Sequence, residues 1–584
     1  MRHSRSRLAR PLLVVATLLA ALFASGGASA QELAWVHRFG GEFFDLGLAV
    51  AADESGAYVA GAATNAIPGE TAFGAQDAFI RKVNPTGAPL WTDQFGTSDF
   101  ERIEGLAVDA TGVYAAGWTR ATLPGQQSSG LEDAFVRKYD PDGRVLWTTQ
   151  FGSAAVDEAL GIAADGSAVY VVGVTQGTLA DGGRGGATDI FVRKLDRDGT
   201  VLWTTELGGA GPDTGKGIAV RDGALYVVGC TGWFCGSFNA ADAYVARLRA
   251  DDGSLDWERS FGAPFVQDEA SGVAADATGI YVAGWTQGTL PAQTSAGFLD
   301  GYVRKYSADG AEAWTRQFGS SSDERVHGVA ARGGVVYTAG VTGGALPGRV
   351  SVGFDDVFVQ ALDGGSGGDQ WTLQFGSRDF ETGRAITALS DQLYVAGDGV
   401  VFGPVVFPTT LPDAFVARIT VDSTPPVLTV PAEVTADAVD PAGVAVSYEA
   451  SAVDALDGAV PVACSPASGT TFPIGTTTVD CSATDRVGNI ATATFQIRVR
   501  GADEQVADLI ALLDGYGLDR LGTSLRDKLS TVQRLLAAGK PQQAQDNLEA
   551  FIAQVDAQRG KGMTGEQADA LETAGQRILD LIVA

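Results

Sequence analysis

The sequence predicts a mainly β chain: a seven-bladed β-propeller closed by its own N-terminal strand, then an Ig-like β-sandwich and a C-terminal α-helical bundle. Three observations predict the propeller. Trp35, Trp91, Trp147, Trp203, Trp257, Trp314 and Trp371 precede a Phe-Gly pair or its equivalent at spacings of 56, 56, 56, 54, 57 and 57 residues, and a fixed period is the mark of a repeat architecture. Each repeat holds four short apolar runs separated by turn residues. The array opens with the last run of a repeat and ends one run short of a complete one.

Residues 1–30 have the form of a secretory signal peptide. Arg2, Arg5, Arg7 and Arg10 precede an apolar stretch over 11–24, and Ala28-Ser29-Ala30 is a small-residue cleavage site. The stretch is short for a membrane span, and nothing later is long and apolar enough to be one. Export to the periplasm, cell surface or medium is the expectation. The formal net charge of −29 repels phosphate backbones and anionic lipid, so neither nucleic acid nor a membrane surface is an expected partner.

The propeller is expected over 31–422. In the second repeat the four runs are 106–108, 113–116, 134–136 and 145–147, strands a to d. Two further markers recur seven times each: Tyr58, Tyr114, Tyr170, Tyr226, Tyr281, Tyr337 and Tyr394 in strand b, and Asp77, Asp133, Asp189, Asp242, Asp300, Asp356 and Asp413 at the start of strand c. Asp-Gly or similar pairs supply the turns, and β-branched and aromatic residues fill the runs. A β-helix rung is far shorter than this repeat, whereas a propeller blade fits it. Strand d stands alone at 33–39 and strand c is the last run at 414–421, so pairing the ends completes the seventh blade and covers an otherwise bare edge. The segments Asp133-Ala134-Phe135-Val136-Arg137-Lys138 and Leu146-Trp147-Thr148-Thr149-Gln150-Phe151-Gly152 resemble the bacterial SBBP-type β-propeller repeats. The Asp-x-x-Gly-x-x-x-Trp spacing is also similar to the tryptophan-docking repeats of quinoprotein propellers, which implies shared packing rather than a shared cofactor.

Residues 423–500 begin with a stiff Thr-Pro-Pro entry, and runs at 444–448, 476–481 and 493–499 suit a small antiparallel sandwich. A disulfide between Cys464 and Cys481 would stabilise it by roughly 3 kcal/mol if chain entropy is the source. Thr424-Pro425-Pro426, the Cys464/Cys481 pair and Ala483-Thr484-Asp485-Arg486-Val487-Gly488-Asn489 resemble the HYR (hyalin repeat) module, which implies an Ig-like fold associated with adhesion. Over 501–584 the period becomes helical: Leu518, Leu521, Leu525, Leu529, Val532 and Leu536 form one stripe and Leu548, Phe551, Ile552 and Val555 another. Gly539 and Pro541 mark a stop and a start, and Thr564 with Gln567 reads as a capping box. The segment 509–581, with Phe551-Ile552 and Gly560-Lys561, is similar to the FIMAH-type C-terminal module of secreted bacterial proteins.

Nothing in the chain announces catalysis. The sequence after residue 30 holds two histidines, His37 and His327, with no serine or cysteine partner evident in sequence, and no nucleophile elbow, zinc helix or phosphate loop is present. Cys230 and Cys235 share one propeller loop and are expected to form a local bridge; with no histidine near, they make no metal site. The Asp140-Pro141-Asp142-Gly143 and Asp196-Arg197-Asp198-Gly199 segments lack the closing acidic ligand of a calcium loop and read as hairpin turns. No cofactor is expected, calcium being the one ion the acidic residues would suit.

Binding is expected on the face that carries the long b–c loops and the d-to-a crossovers. Asp45, Asp99, Asp157, Asp213, Asp268, Asp323 and Asp379 follow the Phe-Gly pairs and would make that face acidic. Trp118, Trp233 and Trp285 stand at the base of the loops, where they either fill gaps between blades or stack on a sugar. The expected function is non-enzymatic binding of an extracellular protein, carbohydrate or cation. The alternatives are a carbohydrate-active hydrolase or lyase, which needs two carboxylates in opposed environments inside a cleft, and a passive spacer in a surface matrix.

Overall fold

The structure is a computed structural model that describes residues 31–582 except 42, 181–187, 233–240, 401–411, 423, 456 and 486–488. The expected signal peptide lies outside the described residues. Two compact units are present among the described residues, Gln31–Ser423 and Thr424–Ala584.

The first unit is built from the repeat. In the second repeat, strands Glu101–Asp109, Gly112–Thr119, Asp133–Tyr139 and Val145–Phe151 pair in order as one antiparallel sheet. Sequential four-stranded sheets of this kind run from Asp45 to Phe375. The next sheet contains Glu381–Leu389, Gln392–Gly399 and Asp413–Val421, and its fourth strand is Gln31–Phe39. That strand lies antiparallel to Asp413–Val421, from Phe39 opposite Ala414 to Gln31 opposite Val421. Among the described residues of the first unit this makes seven four-stranded sheets, with the first strand of each packed on the first strand of the next and Asp45–Asp53 packed on Glu381–Leu389.

Successive blades are held by a tryptophan seated on a glycine. Trp91 Nε1 donates to Pro141 O at 3.1 Å, in the c–d turn of the following blade. Gly143 in that turn has φ of +88°, and a Cβ there would come within 2.6 Å of the Trp91 indole. The turn therefore needs glycine for its backbone and for the ring that lies on it. Trp35 on Gly87, Trp147 on Gly199, Trp203 on Gly253, Trp257 on Gly310 and Trp314 on Gly367 repeat the contact. A strand c lysine adds to it: Lys138 Nζ donates to Arg197 O at 3.3 Å while lying 4.9 Å from the Tyr114 ring centroid. Buried lysine is tolerable here because the ammonium keeps a carbonyl acceptor and an aromatic face. The calcium-like turns are hairpin turns, Asp140 Oδ1 accepting from the Asp142 and Arg144 amides at 3.1 and 2.8 Å.

In the second unit, a sandwich carries the Cys464–Cys481 disulfide between directly paired strand residues. Four helices follow: α1 (Ala502–Gly515), α2 (Asp519–Ala537), α3 (Pro541–Gln558) and α4 (Gly565–Ile582). The capping box forms as expected, with Thr564 N donating to Gln567 Oε1 at 2.9 Å and Gln567 N to Thr564 Oγ1 at 3.2 Å. The bundle is continuous with the sandwich. Leu581 of α4 enters the sandwich core, and the buried Gln505 amide donates to Ala438 O and Arg500 O, each at 3.1 Å.

Deleting residues 31–39 from the full chain would expose the Asp413–Val421 edge. The expected outcome is self-association in size-exclusion chromatography and a thermal transition lower by several degrees. A monomer with an unchanged transition would show that the strand does not close the ring.

Candidate functional site

Every blade breaks its a–b pairing at the same place. The register shifts fall between Gly47/Ala49, Ile103/Gly105, Ala159/Gly161, Gly215/Gly217, Ala270/Gly272, Val326/Gly328 and Gly383/Ala385. The residues skipped are Leu48, Glu104, Leu160, Lys216, Ser271, His327 and Arg384. A β-bulge turns its extra residue out of the ladder, and all seven skipped residues, with Arg102 and Glu269, line one cavity of about 260 Å³. The cavity is the central channel, because strand a is the innermost strand of each blade. It lies toward the crossover face, since each skipped residue is three positions into a strand that starts there. In five of the seven blades glycine follows the bulge, where the strands converge: a Cβ on Gly161 would lie 2.8 Å from Lys216 O, and one on Gly328 would lie 2.9 Å from Ile386 N.

The channel wall is charged but paired. Arg102 Nε lies 2.9 Å from Glu104 Oε1, Lys216 Nζ lies 2.7 Å from Glu269 Oε2, and Arg384 pairs with Asp398 of strand b. Burial works to raise the Glu269 carboxyl, yet Lys216 and the Ser271 hydroxyl hold it below the ordinary glutamate range. Burial, with Arg384 next, pushes the His327 imidazole down to about 3, so it is neutral at physiological pH. Glu158, one position into strand a of the third blade, is pushed up to about 7 by burial, by its hydrogen bond and repulsion with Glu132, and by Glu104.

The tryptophans expected at the loop bases stand behind this wall. Trp118 and Trp285 are each 8% exposed. Trp118 Nε1 donates to Glu104 Oε1 at 3.4 Å and Trp285 Nε1 to Glu269 Oε1 at 3.3 Å. Their exposed area is too small for a sugar to stack on, and their chemistry is to orient two channel glutamates. Trp233 lies outside the described residues, as does Cys235; Cys230 is buried at the end of its strand.

The acidic residues of the crossovers divide by position. Asp45, Asp157, Asp213 and Asp268 open strand a, are at most 1% exposed, and accept the amides of Gly41, Ser153, Gly209 and Ala263. In the second, sixth and seventh blades a glutamate takes that place: Glu101, Glu324 and Glu381 accept the amides of Thr97, Ser320 and Ser377. Asp99, Asp323 and Asp379 sit one or two residues earlier; Asp99 and Asp323 are half-buried and Asp379 is buried. The strand c aspartates behave as strand-start acceptors, Asp133 taking the Ser129 amide and Asp356 the Val352 amide at 2.8 and 2.9 Å. At six of the seven junctions the strand c carboxylate and the next strand a carboxylate flank the glycine of Phe-Gly: a Cβ on Gly96 would lie 2.5 Å from both Asp77 Oδ1 and Glu101 Oε2. These carboxylates belong to the joints between blades.

The loops and crossovers do share a face. Bridges join Gln76 to Phe100, Glu132 to Val156, Ala241 to Gln267, Leu299 to Asp323 and Asp355 to Phe380. The face is also apolar: Phe43, Phe73, Leu131, Phe298, Phe354 and Phe380 are all about half exposed or more, and Phe354 stacks on Phe380 at 5.1 Å.

The chain matches the HYR domain over residues 421–499 and the FIMAH domain over 507–580. Residues 76–290 match a family described as outer membrane protein assembly factor BamB. A propeller, an HYR module and a FIMAH module therefore follow one another. Regulatory protein FlaEY of Caulobacter vibrioides is 24% identical over 358 residues, which span 54% of this chain and 37% of that protein. A quinohemoprotein alcohol dehydrogenase from Comamonas testosteroni aligns at a TM-score of 0.37 and 11% identity, over 69% of this chain and 79% of that one. A europium-containing methanol dehydrogenase aligns at 0.37 and 12%, over 67% and 93%. At those scores nothing about activity transfers.

Burial raises the Asp45 and Asp268 carboxyls to about 6, with Asp413 and Asp242 respectively adding repulsion. The folded state therefore holds these protons more tightly than the unfolded chain. Their contribution to stability is present below about pH 4 and is lost as pH rises through about 6. Asp45→Asn and Asp268→Asn need no proton. Relative to the parent chain, each variant is expected to gain on the order of 1–3 kcal/mol between pH 4 and pH 7 in urea melts. A difference that does not change with pH would rule this out.

Proposed function

We propose that this chain is a secreted or cell-surface binding protein with no catalytic role of its own, built on an SBBP-type bacterial propeller. It takes a carbohydrate, protein or cation ligand on the b–c loop face, at the mouth of the central channel. One observation carries the reading. At the bulge the repeats disagree in chemistry, with Leu, Glu, Leu, Lys, Ser, His and Arg in turn, while the positions that hold blades together keep the same residue types. Seven side chains of six kinds aimed into one space are a recognition surface; a spacer needs none. The apolar rim supplies further contact area of the kind found at interaction sites. The HYR and FIMAH matches and the disulfide fit an oxidising exterior, and no helix among the described residues is long and apolar enough to cross a membrane.

A glycan and metal-ion screen on the full chain, read by thermal shift, tests the reading. Any hit is expected to weaken about tenfold or more in Lys216→Ala and Arg384→Ala variants. Hits that bind both variants as well as the parent would move the site away from the channel.

A second reading, cleavage of a glycan, draws on Glu158. Glu158, next to the channel residues Arg102 and Glu104, keeps its proton near neutrality, while Glu269 of the channel wall is held ionised, and acid catalysis needs carboxyls in such opposed environments. It predicts release of reducing ends from a polysaccharide and loss of that release in Glu158→Gln. Absence of release from a broad polysaccharide panel would leave the binding reading alone.

A further inference from the structure

We propose that the channel cavity takes a neutral polyhydroxylated ring the size of one saccharide residue, and that it rejects ions. The proposal rests on the reading of the channel as the binding site and, of the ligands that reading allows, keeps the carbohydrate and drops the cation.

The wall has already neutralised itself. Arg102 faces Glu104, Lys216 faces Glu269 and Arg384 faces Asp398, so each cation has its own carboxylate. The two other polar bulge residues, Ser271 and His327, are uncharged, the imidazole being held neutral in the channel. A ligand ion entering this space would lose hydration and find no free countercharge. Hydroxyl groups make no such demand. An arginine in a single ion pair keeps further N–H donors, a lysine keeps two, and a carboxylate keeps acceptor sites. Donors and acceptors thus alternate around the cavity, which suits vicinal hydroxyls that both give and take a hydrogen bond.

The ring is also two-sided. Lys216, Ser271, His327 and Arg384 come from four consecutive blades and form a polar arc. Across from them Leu48 and Leu160 flank Glu104. A saccharide ring has polar edges and a C–H face, and the two leucines give that face an apolar seat. The volume of about 260 Å³ falls below the usual range for drug-sized ligands, so one ring fits and a longer chain must leave through the mouth. Trp118 and Trp285 fix the two channel glutamates from behind, so the acceptors are held in place before the ligand arrives.

The test uses the full chain, with saturation-transfer NMR and calorimetry on three probes of one ring type: methyl glucoside, glucuronate and glucosamine. The neutral probe is expected to bind most tightly, with the charged ones about tenfold weaker. Its affinity should change less than about twofold between roughly 50 and 500 mM salt. Two variants unbalance the wall in opposite senses. Lys216→Met leaves Glu269 unpaired and should shift preference toward glucosamine; Glu269→Gln leaves Lys216 unpaired and should shift it toward glucuronate. A purely structural role for the pair would move both variants the same way, which would overturn the proposal. Preference of the parent chain for a charged probe would overturn it too, and this holds even if a variant fails to fold. If no hexoside binds while another small molecule binds in a Lys216-dependent way, the saccharide is wrong and the channel site stands. Hexoside binding that neither variant alters would remove both.

Discussion

A four-stranded sheet short of one strand leaves a row of buried-strand amides and carbonyls facing water. Here the missing strand comes from the other end of the repeat array, some 370 residues earlier in the chain, where Gln31–Phe39 pairs with Asp413–Val421 from Ala414 to Val421. Everything in the first unit depends on that pairing. It makes the first and last blades neighbours, so Asp45–Asp53 packs on Glu381–Leu389 and Leu48 stands beside Arg384 on one axis. The channel exists because the ring is closed.

Closure also dictates what the axis looks like. Seven strands converging on one line leave little room for side chains, and glycine takes the closest approaches. The bulge, followed by glycine in five blades and by alanine in the first and seventh, frees one residue per blade from the ladder. The fold thereby separates two tasks that a plain strand would combine. Tryptophan on glycine, tyrosine beside tryptophan and the junction carboxylates hold the blades, and they hardly vary. The bulged residue lies outside the ladder and is free to differ from blade to blade, which is why the wall carries mixed chemistry.

The same separation explains what could be read in the sequence. Blade packing was legible because it repeats: Trp91, Gly143, Tyr114 and Asp133 each have counterparts at the period, and their contacts follow from residue type alone. The strand completing the last blade was legible as an arithmetic remainder. The channel was not, because a bulge adds one residue to a strand without changing its composition. Glu104, Lys216 and His327 look like ordinary alternation until the register shift is seen, and His327 reads as a lone strand-entry histidine. Counting three residues on from each strand a acid would have found the ring. The crossover acids misled for a related reason: Asp99, Asp323 and Asp379 share a residue type with Asp45, but the equivalent positions hold Glu101, Glu324 and Glu381. Trp118 and Trp285 were placed correctly in the chain, and their depth is a property of how the blades pack.

Hydrogen–deuterium exchange on the full chain tests the closed ring most directly. The account predicts that amides of 33–39 exchange as slowly as those of Asp413–Val421 and of the inner strands, opening only when the whole ring opens. Fast exchange across 33–39 while the neighbouring strands stay protected would contradict it, and the shared axis with its wall of seven side chains would go with it.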